Sequence, residues 1–312
     1  MPEKESTMYK NDLISIIMST YNESEEELLE SVNSILEQTY NLIELIIIND
    51  NPQNTSLMSV LDKIKEKDSR VQVFVNEKNI GLVESLNKAL FFASGNYIAR
   101  MDADDISEKA RLSVQLECLK KEKLDLVGSN IKLINEKNQV LGLMSFPTDC
   151  NKIKFFLKWG TCIPHPTWLC KREVYDSLMG YRHALYCEDY DFLLRAVTMG
   201  FRLGNCKLPC LKYRIRPSSV SHNHNAEQYI LRRYLYKNRR NIIQLSNEQI
   251  TTYLNSKAFM RETIKIEKFF IDKESIKNSV GSLGDVKRMI FNKYTYIMIC
   301  EKFALKLRGI VS

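Results

Sequence analysis

Between residues 13 and 100, short apolar runs alternate with segments of helical spacing. That alternation restricts the chain to a sheet covered by helices. Leu13-Ile14-Ser15-Ile16-Ile17-Met18, Ile43-Glu44-Leu45-Ile46-Ile47-Ile48 and Val71-Gln72-Val73-Phe74-Val75 are strand-length and mostly β-branched. Each precedes a helix-spaced set: Leu28, Leu29, Val32, Ile35 and Leu36; then Leu57, Val60, Leu61 and Ile64; then Leu82, Leu86, Ala89 and Leu90. A fourth run, Tyr97-Ile98-Ala99-Arg100, leads directly into Met101-Asp102-Ala103-Asp104-Asp105. Such strand–helix–strand units predict an α/β protein with a Rossmann-like, mostly parallel central sheet and helices on both faces. From about residue 225 the pattern turns helical and basic, which adds a C-terminal helical region.

Open parallel sheets bind ligands at the carboxyl ends of their strands. Thr20, Asn22 and Glu23 follow the first run, Asp50 the second, and Asp102 and Asp104 the fourth, so these groups are expected to converge on one crevice. Alternation along an extended chain sends Asp102 and Asp104 to the same side. Hard oxygen ligands in that arrangement suit Mg2+ or Mn2+, which bridge one or two carboxylates to substrate phosphates. The competing reading is an acidic loop that caps the following helix, with Asp105 or Ser107 as the N-cap. Convergence with the other strand ends favours the ligand reading. No Gly-x-x-x-x-Gly-Lys or Gly-x-Gly-x-x-Gly follows any of these strands, and the chain has only 11 glycines. Phosphates would therefore be met by metal and side chains, not by a glycine-rich loop.

At 312 residues the chain can bury a substantial core. No run approaches the roughly 18 apolar residues that a membrane crossing needs, and the polar opening MPEKESTMYKND resembles no signal peptide, so a cytoplasmic protein is expected. The eight cysteines are scattered and are expected as free thiols; Cys206 and Cys210, with His222 and His224 beyond, fit no standard zinc spacing. Residues 1–200 carry 23 basic against 30 acidic residues, whereas residues 201–312 carry 22 against 8. A basic C-terminal third suggests an anionic partner or a solvated helical surface. Tyr229, Tyr234 and Tyr236 interleave there with Arg232, Arg233, Arg239 and Arg240, so residues 225–312 are expected to lie on a membrane surface, to pack on the catalytic domain or to form a homo-oligomer contact. Nucleic acid is not expected, since no motif for it is present.

The clusters together resemble family 2 glycosyltransferases with the GT-A fold, of the type that builds bacterial capsules and surface polysaccharides. The resemblance spans residues 12–222. It is carried by the order of Ser19-Thr20-Tyr21-Asn22, Ile48-Asn49-Asp50, Asn79-Ile80-Gly81-Leu82, Arg100-Met101-Asp102-Ala103-Asp104-Asp105, His165-Pro166-Thr167, Glu188-Asp189-Tyr190-Asp191 and Tyr213-Arg214. It implies a catalytic domain over residues 1–222, with a nucleotide-sugar part at 12–106 and an acceptor part at 107–222, and a C-terminal region over 223–312. It also implies an inverting, metal-dependent transfer of a hexose or N-acetylhexosamine. The donor would be a UDP-sugar and the acceptor a growing glycan on a polyprenyl diphosphate, at the inner face of the membrane.

By the same resemblance, Thr20, Tyr21, Asn22, Glu23 and Asp50 hold the base and ribose, and Asn79 and Gly81 lie beside the uracil. Arg100, Asp102, Ala103 and Asp104 form the diphosphate side, with Mn2+ or Mg2+ on Asp104 and Asp102. Asp189, beside Glu188, matches the general base. His165 either contacts the acceptor, supports the metal site or is structural. Many relatives carry Tyr-Arg-x-His where this chain reads Tyr213-Arg214-Ile215-Arg216. Arg214 and Arg216 are therefore expected at the acceptor or diphosphate, with His222 a candidate third metal ligand. A sugar nucleotidyltransferase on a similar sheet would carry a glycine-rich basic loop where this chain has Ser19-Thr20-Tyr21-Asn22-Glu23. A catalytically silent sugar-nucleotide-binding scaffold would keep the donor-binding residues without needing Asp189.

Overall fold

The computed structural model describes residues 12–216 and 224–277, with Tyr294 and Met298. His222, with the rest of 217–223, and most of the basic, aromatic stretch after 277 lie outside the described residues. The strands are β1 (Ile14–Thr20), β2 (Ile43–Asn49), β3 (Val71–Val75), β4 (Tyr97–Arg100), β5 (Ile106–Ser107), β6 (Leu126–Ile134), β7 (Val140–Met144), β8 (Leu169–Lys171) and β9 (Leu203–Arg214). They form one sheet in the order β3-β2-β1-β4-β8-β6-β9-β5, with β7 paired to β6.

β1 is the hub of the first half, parallel to β2 on one side and β4 on the other. Its side chains Ile14, Ile16, Ile17 and Met18 are fully buried, as are Leu45 to Ile48 of β2, which is why these runs show no polar alternation. The register sets Thr20 beside Asn49 and Ile17 beside Arg100, so all three strands end at one edge. Chain order reverses between β1 and β4, the topological position at which such sheets open a crevice.

α1 (Glu25–Leu36) starts at a capping box: Ser24 Oγ accepts the Glu27 N–H, and the Glu27 carboxylate accepts the Ser24 N–H at 3.1 Å. It buries Leu28, Val32 and Ile35. α2 (Thr55–Lys67) buries Leu57, Val60, Leu61 and Ile64, and α3 (Leu82–Phe92) buries Ser85, Leu86 and Ala89. α4 (Arg111–Lys121), α5 (Cys150–Phe156) and α6 (Arg172–Leu178) follow. The expected helix cap at Asp105 or Ser107 is corrected here. α4 begins with Ala110 at its N-cap and no side-chain cap. Ser107 instead belongs to β5, opposite Leu211 of β9, and donates its N–H to Ser34 Oγ at 2.9 Å.

β8 runs antiparallel to β4 and β6, after which β6 and β9 pair in parallel from Leu126↔Leu203 to Ile134↔Arg214. The ladder shifts register around Asn130, whose Nδ2 donates to Lys207 O at 2.7 Å while its Oδ1 takes the Phe146 N–H at 2.8 Å.

By internal contacts the chain divides into two compact units. The first holds the sheet and comprises the described residues to Ile153, Cys162–Arg182 and Met199–Arg216. The second comprises Lys154–Thr161, His183–Thr198 and the described residues beyond Arg216. It contains α7 (Glu188–Thr198), α8 (Asn225–Lys237), α9 (Asn247–Leu254) and α10 (Lys257–Lys277). Its aromatic residues pack internally: Tyr229 and Phe259 are buried, and Tyr234 stacks on Tyr253 with centroids 3.7 Å apart. Among the described residues no helix is long and apolar enough to cross a membrane. Cys206 and Cys210 are buried free thiols.

At the edge of the sheet away from the strand ends, Gly95 lies against β1. A Cβ there would stand 2.5 Å from Leu13 O and 2.8 Å from Ser15 N, both backbone atoms that cannot yield. Gly95→Ala is expected to cost about 2 kcal/mol or more, an overpacking penalty. A thermal melt that leaves Tm within a degree of wild type contradicts that contact.

Candidate active site

After β4 the chain turns sharply, the Asp105 N–H reaching Asp102 O at 3.4 Å. One oxygen from each of Asp102, Asp104 and Asp105 then lies within 4.8 Å of the others. β4 ends at Arg100, so the turn, and not the extended-chain alternation expected from the sequence, brings Asp102, Asp104 and Asp105 together. Asp105 is buried; its Oδ1 accepts the Arg214 N–H at 2.9 Å, and its Oδ2 has no hydrogen-bond partner. Three carboxylates with one unsatisfied buried oxygen form a donor set that fits a hard divalent cation. From the other face, Ser31 Oγ on α1 donates to Asp102 O at 2.8 Å and fixes the turn.

The charge is balanced from beneath. Arg100 is buried, pairs with Asp102, and has no partner at Nε or Nη1. Arg111, absent from the motif set, is also buried: it donates to Arg100 O at 2.6 Å and to Gln115 Oε1 at 3.0 Å. Burial pulls the Arg111 guanidinium down to about 10, a cost that the nearby Cys210 and Asp105 oppose. Asp104 is pushed up to about 6, first by burial and then by Asp102, with Arg216 pulling the other way. Asp105 is raised well above the usual carboxylate range by burial and by its two neighbours.

Arg214 and Arg216 close the triplet from the end of β9. Arg214 is buried and turned to protein acceptors: Asp104 O at 2.8 Å, Asn138 Oδ1 at 2.8 Å and Glu30 Oε2 at 2.9 Å. Arg216 lies 2.8 Å from Glu27 Oε1 and 3.3 Å from Asp104 Oδ2. Arg216, the last residue of Tyr213-Arg214-Ile215-Arg216, thus brings a positive charge to Asp104.

The ends of β1 and β2 are ordered by their own hydrogen bonds. Glu23 accepts from Thr20 Oγ1 at 2.6 Å and from the Tyr21 N–H at 2.7 Å, closing the turn after β1. Asn22 Oδ1 accepts from Asn51 Nδ2 at 2.8 Å, which ties the β1 and β2 ends together. Asp50 is buried and accepts from Asn76 Nδ2 at 2.8 Å, Ile80 N–H at 2.9 Å and Gly81 N–H at 2.8 Å. Its carboxylate therefore sets the backbone of the 79–81 loop. Asn79 Oδ1 also accepts the Gly81 N–H, at 3.0 Å, and Gly81 has φ +87°, a left-handed conformation that favours glycine. Tyr21 is exposed and Ala103 buried. Asn76 directly follows β3 but is not among the expected site residues, and Glu27 sits on α1 with no strand-end signature.

His165, in the short turn His165–Thr167, has its Nε2 2.8 Å from Tyr181 Oη, which in turn lies 2.9 Å from Tyr175 Oη. Burial first, and then Arg100, hold His165 well below the usual histidine range, so the ring is neutral. Trp168 and Tyr181 are buried and serve packing, not an open sugar platform.

Glu188 and Asp189 open α7 in the second unit. Asp189 is half-buried and accepts the Tyr190 N–H at 2.6 Å. Burial raises its carboxyl above the ordinary range. Asp191 is bound instead to Arg195 at 2.7 Å, both buried.

The sequence profile described as Glycosyl transferase family 2 matches residues 15–179, from β1 to the end of α6. The chain belongs to glycosyl transferase family 2. This family 2 enzyme is 34% identical over 233 residues to the O-antigen biosynthesis glycosyltransferase WbnJ of Escherichia coli, covering 72% of this chain and 90% of WbnJ. It is 30% identical over 216 residues to the UDP-Glc:alpha-D-GlcNAc-diphosphoundecaprenol beta-1,3-glucosyltransferase WfgD of Escherichia coli, covering 68% and 80% of the two chains. The structure of S. aureus TarS 1-349 in complex with UDP-GlcNAc aligns over 89% of this chain and 78% of that one, with a TM-score of 0.58 at 18% identity. That likeness identifies the fold as GT-A. The profile match includes the acidic triplet and ends before Glu188, Asp189 and β9.

A carboxyl raised from 3.8 to about 6 on folding binds protons more tightly in the folded chain. Its penalty is absent below the unfolded value and complete above the folded one, so metal-free stability falls as pH rises through that window. In EDTA, Asp104→Asn is expected to melt above wild type at pH 7, with the gap closing as pH falls toward 4. A gap that is constant with pH contradicts the shift.

Proposed function

We propose that this glycosyltransferase is inverting and metal-dependent, and moves a hexose or N-acetylhexosamine from a UDP-sugar to a lipid-linked surface glycan. The observation that carries the reading is the acidic triplet at the shared end of β1, β2 and β4, with the buried Asp105 Oδ2 left unsatisfied. The donor and acceptor classes follow the names of the relatives: WfgD uses UDP-Glc and a diphosphoundecaprenol acceptor, and TarS was solved with UDP-GlcNAc. Basic residues of 225–277 suit the surface of an anionic membrane, where such an acceptor resides.

Asp102 and Asp104 would hold Mn2+ or Mg2+, with Asp105 completing the set. A bound divalent cation stabilises the negative charge that develops on the departing diphosphate. Thr20, Tyr21, Asn22 and Glu23 take the nucleoside, and Asp50 orders the Asn79–Gly81 loop against it. Arg100 fixes Asp102, while Arg214 holds the Asp104 backbone and Arg216 its carboxylate. His165, kept neutral, is a hydrogen-bonding group toward the acceptor. Asp189 removes the acceptor hydroxyl proton as that oxygen bonds to the sugar C1, and the bond from C1 to the UDP oxygen breaks with inversion. Burial makes Asp189 a better proton acceptor than an ordinary carboxylate, and Glu188 flanks it.

The test is UDP release and glycan transfer with UDP-GlcNAc and UDP-Glc, with Mn2+ or in EDTA. Asp104→Ala is expected to abolish the Mn2+-dependent turnover. Asp189→Asn should lower kcat by about 10²–10⁴ while UDP binding by calorimetry persists. Turnover undiminished in EDTA rules out the metal role. UDP binding without turnover of either donor favours a silent scaffold.

A further inference from the structure

The second unit carries a charged group that the family motifs leave out. Cys187 Sγ, just before α7, and Arg232 Nε on α8 both donate to the Gln228 carbonyl, at 3.6 and 3.3 Å. That shared acceptor brings Arg232 to the first turn of α7. On its other side the guanidinium lies against Gly160, where a Cβ would stand 2.9 Å from Nη1 and 3.8 Å from Cζ. Gly160 is not among the glycines with positive φ, so it answers to space and not to backbone conformation. Tyr190 of α7 donates its hydroxyl to Leu157 O, which ties the same turn to the 154–161 segment.

We propose that Arg232 is a positioning residue for the transfer: seated over Gly160, its guanidinium is the fixed positive charge against which the Asp189 carboxylate is set. The inference rests on the reading of Asp189 as the base. A half-buried base meets two opposed demands. Loss of water strengthens its hold on a proton, which helps it to accept one but leaves it protonated and idle at working pH. A nearby cation that hydrogen-bonds elsewhere offsets that effect without occupying the lone pairs that the acceptor hydroxyl needs. Arg232 favours the ionised form at Asp189, at the Cys187 thiol and at the Tyr190 hydroxyl. Glu188 and Asp191 lie on α7 itself, and Asp191 is bound to Arg195. Tyr236 of α8 and Arg239 beyond it act on Tyr190.

The experiment is a pH titration of Asp189 in the full chain by carboxyl 13C NMR, the signal assigned by its loss in Asp189→Asn. In Arg232→Gln the midpoint is expected to rise by about one pH unit, the order of effect of removing one neighbouring charge. Arg232→Lys, which keeps the charge, is expected to stay near wild type. The acid limb of kcat/KM for Mn2+-dependent UDP release from UDP-GlcNAc should move upward with the midpoint. Gly160→Ala displaces the guanidinium without removing it and should give a smaller rise; it carries the test if Arg232→Gln does not fold. A midpoint unmoved in the folded variant overturns the inference. If Asp189 is not the base, Asp189→Asn keeps its turnover while the titration still shifts, so the two failures are told apart.

Discussion

Three carboxylates within 4.8 Å of one another would drive the chain apart unless positive charge were built in around them. Two guanidinium groups, Arg100 and Arg111, are buried beneath the triplet, and Arg214 and Arg216 reach it from the end of β9. The four come from three places: β4, α4 and the end of the last strand in sequence. The arrangement is costly in isolation, since burial pulls Arg111 down to about 10, and burial together with Asp102 pushes Asp104 up to about 6. It is tolerable because the opposed costs are met in one place, where a divalent cation would finish the balance.

The first half of the fold was legible in the sequence because its physics is local. β1 and β2 are buried on both faces, so their apolar runs are unbroken, and the helices between them carry regular 3.6-residue spacing and a capping box at Ser24. The second half was not. β5 and β8 have two and three residues, too few for any periodicity, and β7 exposes Val140, Leu141, Leu143 and Met144, so it has no buried face to write an alternation. β9 carries Pro209 within a register shift, which obscures a long strand.

The candidate site divides along the same line. Strand-end residues such as Asp50 and Asp104 announce themselves by their position after an apolar run. Glu27 and Arg111 sit on helices and do not, because each acts through a tertiary ion pair or hydrogen bond, Glu27 with Arg216 and Arg111 with Arg100 O. Asn76 follows β3 as Asp50 follows β2, and its bond to Asp50 shows only in the fold. The tyrosines of α8 interleave with basic residues in the sequence, and of these Tyr229 is buried and Tyr234 stacks on Tyr253.

The bond from the Arg214 N–H to Asp105 joins residues 109 positions apart. A chain emerging from the ribosome presents the acidic triplet long before the strand that closes it exists. Until β9 adds to β6, that end of the sheet is a cluster of like charges held by Arg100 and Arg111 alone. The acidic end of the sheet is therefore completed late, and a fragment that stops short of β9 would keep the triplet without the clamp that gives it a fixed shape.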